Sequence, residues 1–351
     1  MKKLFFIFLT LSITISIFSY TVYFEIKNLE KLEDDIFLAG SFNSWKYGDP
    51  NFKFEFKNGK YILKTDLSGV IKFTVNRGSK EKSETKSVRI ARIFKDNIKI
   101  KLFVKGFSDM KGKLIKYENF YSPQLKNFRD IIVYIPPKYK ENLPVIYMHD
   151  GQNLFDKKTS FIGIEWKIDE TLDELINNGE IEPIIVVGIY NTKDRLSEYS
   201  PWYDEKFKAG GKGDSYIKFI VETLKPFIDN NFKANKEKTF IGGSSMGGLI
   251  SLYALAKYPE IFSGAIAMSP SLFFANEKIF EYIKDNPPKG KIYMDVGKLE
   301  DKEMVILANK MKEILNDFSV KIYFRIDENG KHNEYFWGKR FKDAIKKILN
   351  D

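Results

Sequence analysis

Short apolar segments alternate with helical segments over the larger, C-terminal part of this chain, and this alternation constrains the fold more than any other feature. Strands that are buried on both faces read as continuous apolar runs, and the helices between them cover both faces of the sheet. Residues 113–351 are therefore predicted to form an α/β domain with a mostly parallel sheet. The predicted strands span residues 131–135, 145–148, 184–189, 239–241, 264–268, 292–296 and 321–326.

The preceding residues, 20–112, follow a different pattern of short β-prone runs separated by turn residues such as Asn58-Gly59. Many short strands with frequent turn signals are typical of a small all-β sandwich. The string LAGSFNSW at 38–45 resembles the opening of starch- and glycogen-type carbohydrate-binding modules, which belong to the immunoglobulin-like early-set domains. The resemblance implies an immunoglobulin-like sandwich in which Trp45 either stacks on a sugar or packs within the domain.

The composition excludes several kinds of chemistry. A length of 351 residues suits two domains, and the absence of cysteine excludes disulfide bonds, thiolate metal sites and cysteine catalysis. The net charge of +10 comes from scattered lysines and from no basic run interleaved with aromatic residues, so no nucleic-acid partner is expected. Abundant Lys, Glu and Ile without cysteine is also typical of a thermophile.

Residues 1–19 have the features of a secretory signal peptide. Lys2 and Lys3 form a positive start, residues 4–18 are apolar, and Ser19 places a small residue at the cleavage site. The apolar stretch is short for a membrane span. We therefore expect an exported protein, periplasmic or extracellular, with no stable membrane span after cleavage. An uncleaved anchor is the alternative.

The string Gly243-Ser244-Ser245-Met246-Gly247 has the pattern G-x-S-x-G. A predicted strand precedes it, and a helical segment at 248–257 follows it directly. A strand, a sharp turn and a helix form the context in which a nucleophilic serine is exposed at the edge of an α/β sheet. The N-terminus of the helix directs free amides and its positive dipole end toward a developing oxyanion. Ser245 is therefore the candidate nucleophile.

A serine nucleophile needs a base within hydrogen-bond reach and an acid that orients the base. The chain has two histidines, and in the hydrolase order of serine, acid and histidine only His332 follows Ser245. The acid is expected in the loop after the sixth predicted strand, where Glu300 and Asp301 are both placed for the role. Spacing does not separate these two, and Asp295 inside the strand is a weaker candidate.

A second backbone donor to the oxyanion is expected after the strand at 145–148, where the sequence reads HDGQ from residue 149. A glycine lets the backbone approach a substrate, and the residue after it offers its N–H. The N–H groups of Gln152 and Met246 are therefore the predicted oxyanion hole. His149 is expected to hold the turn. No histidine spacing typical of metal ligands occurs, so neither a metal nor a cofactor is expected.

Three strings together resemble one known family. MHDGQNLF at 148–155, GSSMGG at 243–248 and GKH at 330–332 are similar to segments of the esterase D-type "putative esterase" family of α/β-hydrolases. This family includes feruloyl and acetyl-xylan esterases, S-formylglutathione hydrolases, siderophore esterases and mycolyltransferases. The similarity extends from about Tyr117 to the C-terminus, and members with an early-set domain in front agree with the division into two domains.

The resemblance implies a role for each matching position. The nucleophile of the family corresponds to Ser245, its base to His332 and one oxyanion donor to Gln152. The family acid, three residues after the glycine that follows the late strand, corresponds to Glu300. Many members have aspartate there, which leaves Asp301 open as the alternative acid.

These features predict a serine carboxylic-ester hydrolase that forms an acyl-enzyme intermediate. Short-acyl or aryl esters are the expected substrates, carbohydrate-linked esters among them. The aromatic side chains expected at the substrate pocket are Trp166, Tyr199, Trp202 and Trp337. The alternatives are a non-catalytic carbohydrate-binding protein, and an acyltransferase or peptidase with the same triad. The N-terminal domain is expected to bind sugar, to shape the active-site mouth or to form a homo-oligomer.

Overall fold

The computed structural model describes residues 19–84, 88–104, 106–137 and 139–350. The predicted signal peptide lies outside this part of the chain except for Ser19. The chain divides into two compact units, Met1–Asp109 and Met110–Asp351, whereas the sequence predicted a boundary after residue 112. None of the helices within the described ranges has the length and apolar character needed to cross a membrane.

The N-terminal unit contains two small sheets. One has the strand order β3-β4-β1-β7 and the other the order β2-β5-β6. Alternate residues of the first strand, Val22, Phe24 and Ile26, are fully buried, which is the period of two expected of a strand with one face on a core. The strands are β1 (Tyr20–Ile26), β2 (Phe37–Gly40), β3 (Glu55–Lys57), β4 (Lys60–Leu67), β5 (Gly69–Asn76), β6 (Arg89–Ile93) and β7 (Ile98–Leu102).

The segment that resembles a carbohydrate-binding module forms a tight turn after β2. A Cβ at Gly40 would lie 2.4 Å from the carbonyl oxygen of Lys72, so the two backbones approach too closely for a side chain. The Asn43 side chain accepts a hydrogen bond from the Gly40 N–H and donates one to the Lys46 carbonyl. Glycine and asparagine in this string therefore shape the turn that presents Trp45.

The C-terminal unit is built on an eight-stranded sheet with the order β17-β16-β15-β14-β10-β11-β9-β8. The six strands from β17 to β11 are parallel, and β9 and β8 complete one edge in antiparallel pairing. All seven predicted strands overlap an observed one, so the prediction of an α/β domain with a mostly parallel sheet is confirmed. The eight strands are β8 (Lys113–Ser122), β9 (Asn127–Ile135), β10 (Val145–His149), β11 (Ile185–Ile189), β14 (Thr239–Ser244), β15 (Gly264–Met268), β16 (Lys291–Gly297) and β17 (Lys321–Asp327). The short strands β12 (Tyr203–Asp204) and β13 (Ala209–Gly210) pair separately with each other.

Helices cover both faces of this sheet. In β10, Val145 and Tyr147 join the core on one face, whereas Ile146 and Met148 join the core on the other. The helices are α1 (Ile168–Asn177), α2 (Arg195–Glu198), α3 (Gly213–Phe219), α4 (Lys225–Asn231), α5 (Met246–Lys257), α6 (Lys278–Asp285), α7 (Lys302–Asn316) and α8 (Glu334–Asn350), with a π turn at Ile220–Leu224 between α3 and α4.

The edge strand β8 is an element that the sequence did not reveal. Most of its side chains are exposed, so its sequence lacks the hydrophobic pattern by which strands are recognised. Backbone pairing with β9 holds it in place. The sheet therefore starts at residue 113, in a segment of the predicted α/β domain for which the sequence predicted no strand.

Candidate active site

Ser245 occupies the sharp turn between β14 and α5. Its backbone has φ 57° and ψ −122°, a conformation that L-residues rarely adopt and that is typical of strained functional turns. A Cβ at Gly243 or at Gly247 would lie 3.1 or 3.2 Å from the Cβ of His149, so both flanking glycines fit where larger residues would crowd the turn. The local sequence therefore places the serine hydroxyl at the carboxyl end of the sheet.

A continuous chain of hydrogen bonds starts at this hydroxyl. Ser245 Oγ lies 3.0 Å from His332 Nε2, and His332 Nδ1 donates to Glu300 Oε2 at 2.8 Å. His332 comes from the loop between β17 and α8, and Glu300 comes from the loop between β16 and α7. Three residues far apart in the sequence are thus brought together in the order needed to move a proton away from a serine.

Glu300 is held firmly in this position. Its side chain is fully buried, and its second oxygen accepts hydrogen bonds from Ser269 Oγ at 2.6 Å and from the Gly297 N–H at 2.8 Å. Burial raises the pKa of the Glu300 carboxyl, but the hydrogen bonds from His332 and Ser269 outweigh it and leave the pKa below its ordinary value. The group is therefore a carboxylate at neutral pH.

The two other candidate acids have different contacts. Asp301 caps helix α7, where its carboxylate accepts a hydrogen bond from the Glu303 N–H at 3.0 Å. Asp295 lies inside β16, fully buried, with one carboxylate oxygen 2.9 Å from Arg340 Nε. Burial is the main reason that the pKa of Asp295 rises to about 6, against the opposing influence of Arg340. Neither is hydrogen-bonded to the histidine within the described ranges.

Arg340 belongs to a buried polar network behind the carboxylate that sequence reasoning missed. It is 1% exposed and donates to Ser269 Oγ at 2.9 Å, and Trp337 Nε1 donates to the same oxygen at 3.1 Å. Ser269 in turn donates to Glu300. One sequence signal was present, because Arg340 lies at helical spacing from the apolar residues Trp337 and Ala344 and so faces the core.

The predicted oxyanion donors come from two helix starts. Met246 is the first residue of α5, where backbone N–H groups have no partner within the helix. Gln152 is in a 3₁₀ turn, Gly151–Asn153, and its carbonyl accepts a hydrogen bond from Thr159 Oγ at 2.7 Å. A Cβ at Gly151 would lie 2.6 Å from the Gly188 backbone, so this turn packs directly on β11.

An ion pair stands beside the turn that carries Gln152. Asp150 accepts two hydrogen bonds from the Arg195 guanidinium, at 2.7 and 2.8 Å, and a third from Asn191 Nδ2 at 2.7 Å. Burial raises the pKa of Asp150, but Arg195 and the hydrogen bonds have the larger, opposite influence. The pKa of this carboxyl is therefore below its ordinary value. Charge-assisted hydrogen bonds therefore hold the residue that precedes this turn.

Ser245 and His332 lie in a cleft of about 370 Å³, which Asp150 and Gln152 also line. Of the four aromatic residues predicted at the pocket, Trp337 lines this cleft. Trp166 packs behind it, with ring centroids 6.1 Å apart. Tyr199 is buried with its hydroxyl at Asp150, and Trp202 packs between two tyrosines of the core, so neither reaches the cleft wall. The lining residues are Asp150, Gln152, Asn153, Phe161, Asn191, Thr192, Arg195, Ser244, Ser245, His332, Glu334 and Trp337.

A second hydroxyl touches the nucleophile and was not foreseen. Ser271 Oγ lies 3.1 Å from Ser245 Oγ, and the Ser271 N–H donates to the Ser245 carbonyl at 3.0 Å. Ser271 is 3% exposed. Since the Ser245 hydroxyl donates to His332, the Ser271 hydroxyl is the donor in this pair.

Comparisons with known proteins agree with this geometry. A family model described as "Putative esterase" matches residues 122–348. An endo-1,4-beta-xylanase/feruloyl esterase of Xylanibacter ruminicola is 30% identical over 234 residues, which are 64% of this chain and 30% of that protein. The ferri-bacillibactin esterase BesA of Bacillus subtilis is 28% identical over 207 residues, which are 52% of this chain and 66% of that protein.

Among solved structures, the enterobactin esterase of Shigella flexneri matches with a TM-score of 0.54 and 15% identity. The match covers 90% of this chain and 88% of the other, so it extends into the N-terminal unit. At this identity the likeness shows the fold alone. The family model covers more than half of the sequence. The chain therefore belongs to the "Putative esterase" family and is a carboxylic-ester hydrolase with an α/β-hydrolase domain.

Proposed function

We propose that Ser245, His332 and Glu300 form the catalytic triad of this esterase and that hydrolysis proceeds through an acyl-enzyme. The observation that carries the proposal is the pair of hydrogen bonds, 3.0 Å and 2.8 Å long, that joins the serine hydroxyl to the buried carboxylate through the imidazole. The strained backbone of the serine and the helix that starts after it are further support.

In the first half-reaction, Ser245 Oγ attacks the ester carbonyl carbon while His332 Nε2 takes the serine proton. The carbonyl oxygen becomes an oxyanion, and we expect the N–H groups of Gln152 and Met246 to stabilise it. The ester C–O bond then breaks, and His332 returns the proton to the leaving alcohol. In the second half-reaction, His332 deprotonates a water whose oxygen attacks the acyl carbon. The bond between Ser245 Oγ and the acyl carbon then breaks, His332 returns the proton to Ser245 Oγ, and the carboxylic acid leaves. Glu300 orients the imidazole and stabilises its protonated form throughout.

For the substrate we propose short-acyl or aryl esters, carbohydrate-linked esters included. Two aromatic side chains support this class. Trp337 lines the cleft, and the Phe161 ring lines it while remaining 85% exposed, which is unusual for so large an apolar group. Two relatives, a feruloyl esterase and a ferri-bacillibactin esterase, also support ester substrates.

The test combines labelling and a substrate panel. A fluorophosphonate should add one phosphonyl group to the protein, and peptide mass spectrometry should find it on Ser245. The panel pairs 4-nitrophenyl acetate and benzoate with the matching 4-nitroanilides, and it includes an added alcohol as acyl acceptor. Ester cleavage without anilide cleavage or net acyl transfer supports the proposal. Faster anilide cleavage would indicate a peptidase, and dominant transfer would indicate an acyltransferase.

For the N-terminal unit we propose an immunoglobulin-like early-set module that shapes the active-site mouth or joins protomers, in preference to sugar binding. Gly40 and Asn43 have structural tasks in the turn before Trp45, and Phe42 packs on Phe52 at 4.6 Å, so one ring of the string is left for a sugar. Affinity electrophoresis in starch or xylan gels, with Trp45→Ala beside the full chain, tests this. Retardation that Trp45→Ala abolishes would favour sugar binding.

We also propose that the protein is exported and that the segment at 1–19 is removed. The support is the positive start, the short apolar stretch and the small residue at 19. Intact-mass measurement of protein isolated from the producing cells tests this. A mass that begins at residue 20 supports cleavage, and a full-length membrane-bound form supports an uncleaved anchor.

A further inference from the structure

A second cavity of about 590 Å³ lies in the C-terminal unit, beside the catalytic cleft. Its walls come from the segment before α1 and from the first turns of α8. No step of the proposed hydrolysis uses it. The lining residues are Lys157, Gly163, Ile164, Glu165, Trp166, Lys167, Thr171, Tyr335, Gly338, Lys339 and Lys342.

The charges on this lining are unbalanced. Four lysines line the cavity against one carboxylate, Glu165. Lys342 forms an ion pair with Glu174 at 2.9 Å, whereas Lys157, Lys167 and Lys339 have no carboxylate within 4.0 Å in the described part of the chain. Three ammonium groups around one concave surface attract an anion, and the carboxylates of Glu165 and of the nearby Asp156 and Glu170 oppose this attraction.

Apolar surface accompanies these charges. Tyr335 is 48% exposed, with Lys339 Nζ 4.3 Å from its ring centroid, and Ile164 is 38% exposed. The indole of Trp166 is buried at the base of the cavity. A concave site with a few charged groups among aromatic walls suits a ligand that carries an anionic group on an apolar body.

The cavity and the catalytic cleft share a wall. Trp337 lines the cleft, and the next residue, Gly338, lines the cavity. A Cβ at Gly338 would lie 2.6 Å from the Trp166 carbonyl oxygen, so α8 rests directly on the backbone of that residue. On the other side, Phe161 lines the cleft and Gly163 lines the cavity. The contact of α8 with Trp166 separates cleft and cavity on that side, so an extended substrate would have to reach the lysine-lined cavity past Phe161 and Gly163.

We propose that this cavity is a distal subsite that binds the carboxylate-bearing end of an extended ester whose carbonyl lies at Ser245. The inference rests on the proposed esterase mechanism and adds a preference for anionic substrates. Lysines act here as point charges on flexible stems, which suits a carboxylate at the end of a chain. The Glu165 carboxylate repels an anionic ligand and so reduces the preference for anionic over neutral esters.

The test compares two activated esters that differ in one charge. The anionic ester is the 4-nitrophenyl monoester of suberic acid, and the neutral ester is the 4-nitrophenyl ester of suberic acid monoamide. The variant Lys157→Gln/Lys167→Gln/Lys339→Gln removes the three unpaired charges. The matched control Lys218→Gln/Lys284→Gln/Lys289→Gln removes three charges elsewhere. The readout is the ratio of kcat/KM for the anionic ester to that for the neutral one.

We expect this ratio to fall at least about tenfold in the cavity variant and to stay within about twofold of wild type in the control, because three cations close to one anion are lost. Glu165→Gln should raise the ratio about two- to threefold. High salt should lower the ratio in wild type and hardly change it in the cavity variant. An unchanged ratio in the cavity variant would overturn the subsite, provided that its thermal unfolding resembles that of wild type.

Binding without turnover separates this proposal from the mechanism. Titration calorimetry measures the affinity of Ser245→Ala protein for the anionic ester, with and without the three lysine substitutions. Lysine-dependent binding together with no ester cleavage by wild type would uphold the subsite and reject the triad. Cleavage by wild type together with lysine-independent binding would reject the subsite and leave the triad in place.

Discussion

Two histidines lie against the same nucleophile elbow, and their surroundings are opposite. His332 is 36% exposed at its side chain and lies between Ser245 and the Glu300 carboxylate. His149 is 1% exposed, packs beneath the elbow glycines, and is hydrogen-bonded through Nδ1 to the Tyr216 hydroxyl at 2.8 Å. The His332 imidazole is hydrogen-bonded to a carboxylate and lines the cleft, whereas the His149 imidazole is hydrogen-bonded to a tyrosine and is buried in the core.

The difference shows that environment, and not proximity to the serine, decides which histidine can act as a base. Burial lowers the pKa of His149 to about 3, against a smaller opposing influence of Asp150, so this ring stays neutral. In the proposed mechanism the other ring must gain and lose a proton in every turnover, and Glu300 stabilises its protonated form. The proposed mechanism therefore assigns proton transfer to His332 and a packing role to His149.

The largest loss of activity is expected when Ser245, the proposed nucleophile, is replaced. Ser245→Ala should lower kcat for 4-nitrophenyl acetate by about 10⁴-fold or more, because no other group can form the acyl-enzyme. Circular dichroism should show an unchanged fold. The neighbouring Ser244→Ala, in which the nucleophile remains, is the matched control and should lose less than about tenfold. Turnover near that of wild type in Ser245→Ala would reject the nucleophile.

Exchanging the two histidines tests the comparison directly. His332→Asn should lower kcat by about 10³- to 10⁴-fold and leave the free energy of unfolding nearly unchanged, since the ring lies partly in solvent. His149→Asn should retain far more activity but unfold at a lower urea concentration, because it leaves a gap beneath the elbow. Kinetics and urea unfolding on both variants check this. An inactive but stable His149→Asn protein would reverse the roles.

A matched pair of variants distinguishes Glu300 from Asp301 as the acid that is hydrogen-bonded to His332. Glu300→Gln should lower kcat by about 10³-fold, because an amide no longer stabilises the protonated imidazole. Asp301→Asn should stay within about twofold of wild type, since asparagine also caps a helix N-terminus. Comparable kcat values for Glu300→Gln and wild type, with a large loss in Asp301→Asn, would move the acid by one residue.

Local patterns in the sequence were enough to single out Ser245 and His332 as the candidate nucleophile and base. The strand, turn and helix around Ser245 are contiguous in sequence, and one histidine alone follows the nucleophile. The choice between Glu300 and Asp301 depends on backbone direction at the start of α7, where Asp301 turns to bond the Glu303 N–H. No spacing in the sequence reveals that direction.

The buried polar network behind Glu300 could not be predicted, because its members are far apart in the sequence. Ser269 and Arg340 are hydrogen-bonded although they are 71 positions apart, and only the folded sheet and α8 bring them together. The aromatic residues near the site were hard to place for a related reason. Tyr199 lies between the polar residues Glu198 and Ser200 in the sequence, yet its ring is buried against Tyr216. The Trp202 ring likewise packs on Tyr253 and not at the cleft.

The pH dependence of the free energy of unfolding should show that His149 is buried as a neutral ring. The pKa of His149 in the folded state, about 3, lies below that of an unfolded histidine, about 6.5. Between these values the unfolded chain binds one more proton, so stability falls as pH falls from about 6.5 toward 3, at about 1.4 kcal/mol per pH unit. His149→Asn lacks this contribution. The difference in free energy of unfolding between wild type and His149→Asn, measured with urea, should therefore become smaller from pH 7 to pH 5. A difference that does not change with pH would contradict a buried neutral ring.

The smallest effect is expected from Ser271, whose hydroxyl contacts the nucleophile but belongs to neither histidine. Its hydrogen bond to Ser245 Oγ, 3.1 Å long, holds the nucleophile in the orientation that faces His332. Ser271→Ala removes one neutral hydrogen bond, worth about 1 kcal/mol, so kcat should fall about fivefold with little change in KM. Ser271→Thr keeps the hydroxyl and should recover most of the rate if the added methyl group fits the buried site. Steady-state kinetics of both variants decide this. A loss as large as that of His332→Asn would instead make Ser271 part of the proton-transfer machinery, and the contrast between the two sides of the elbow would have to include a third group.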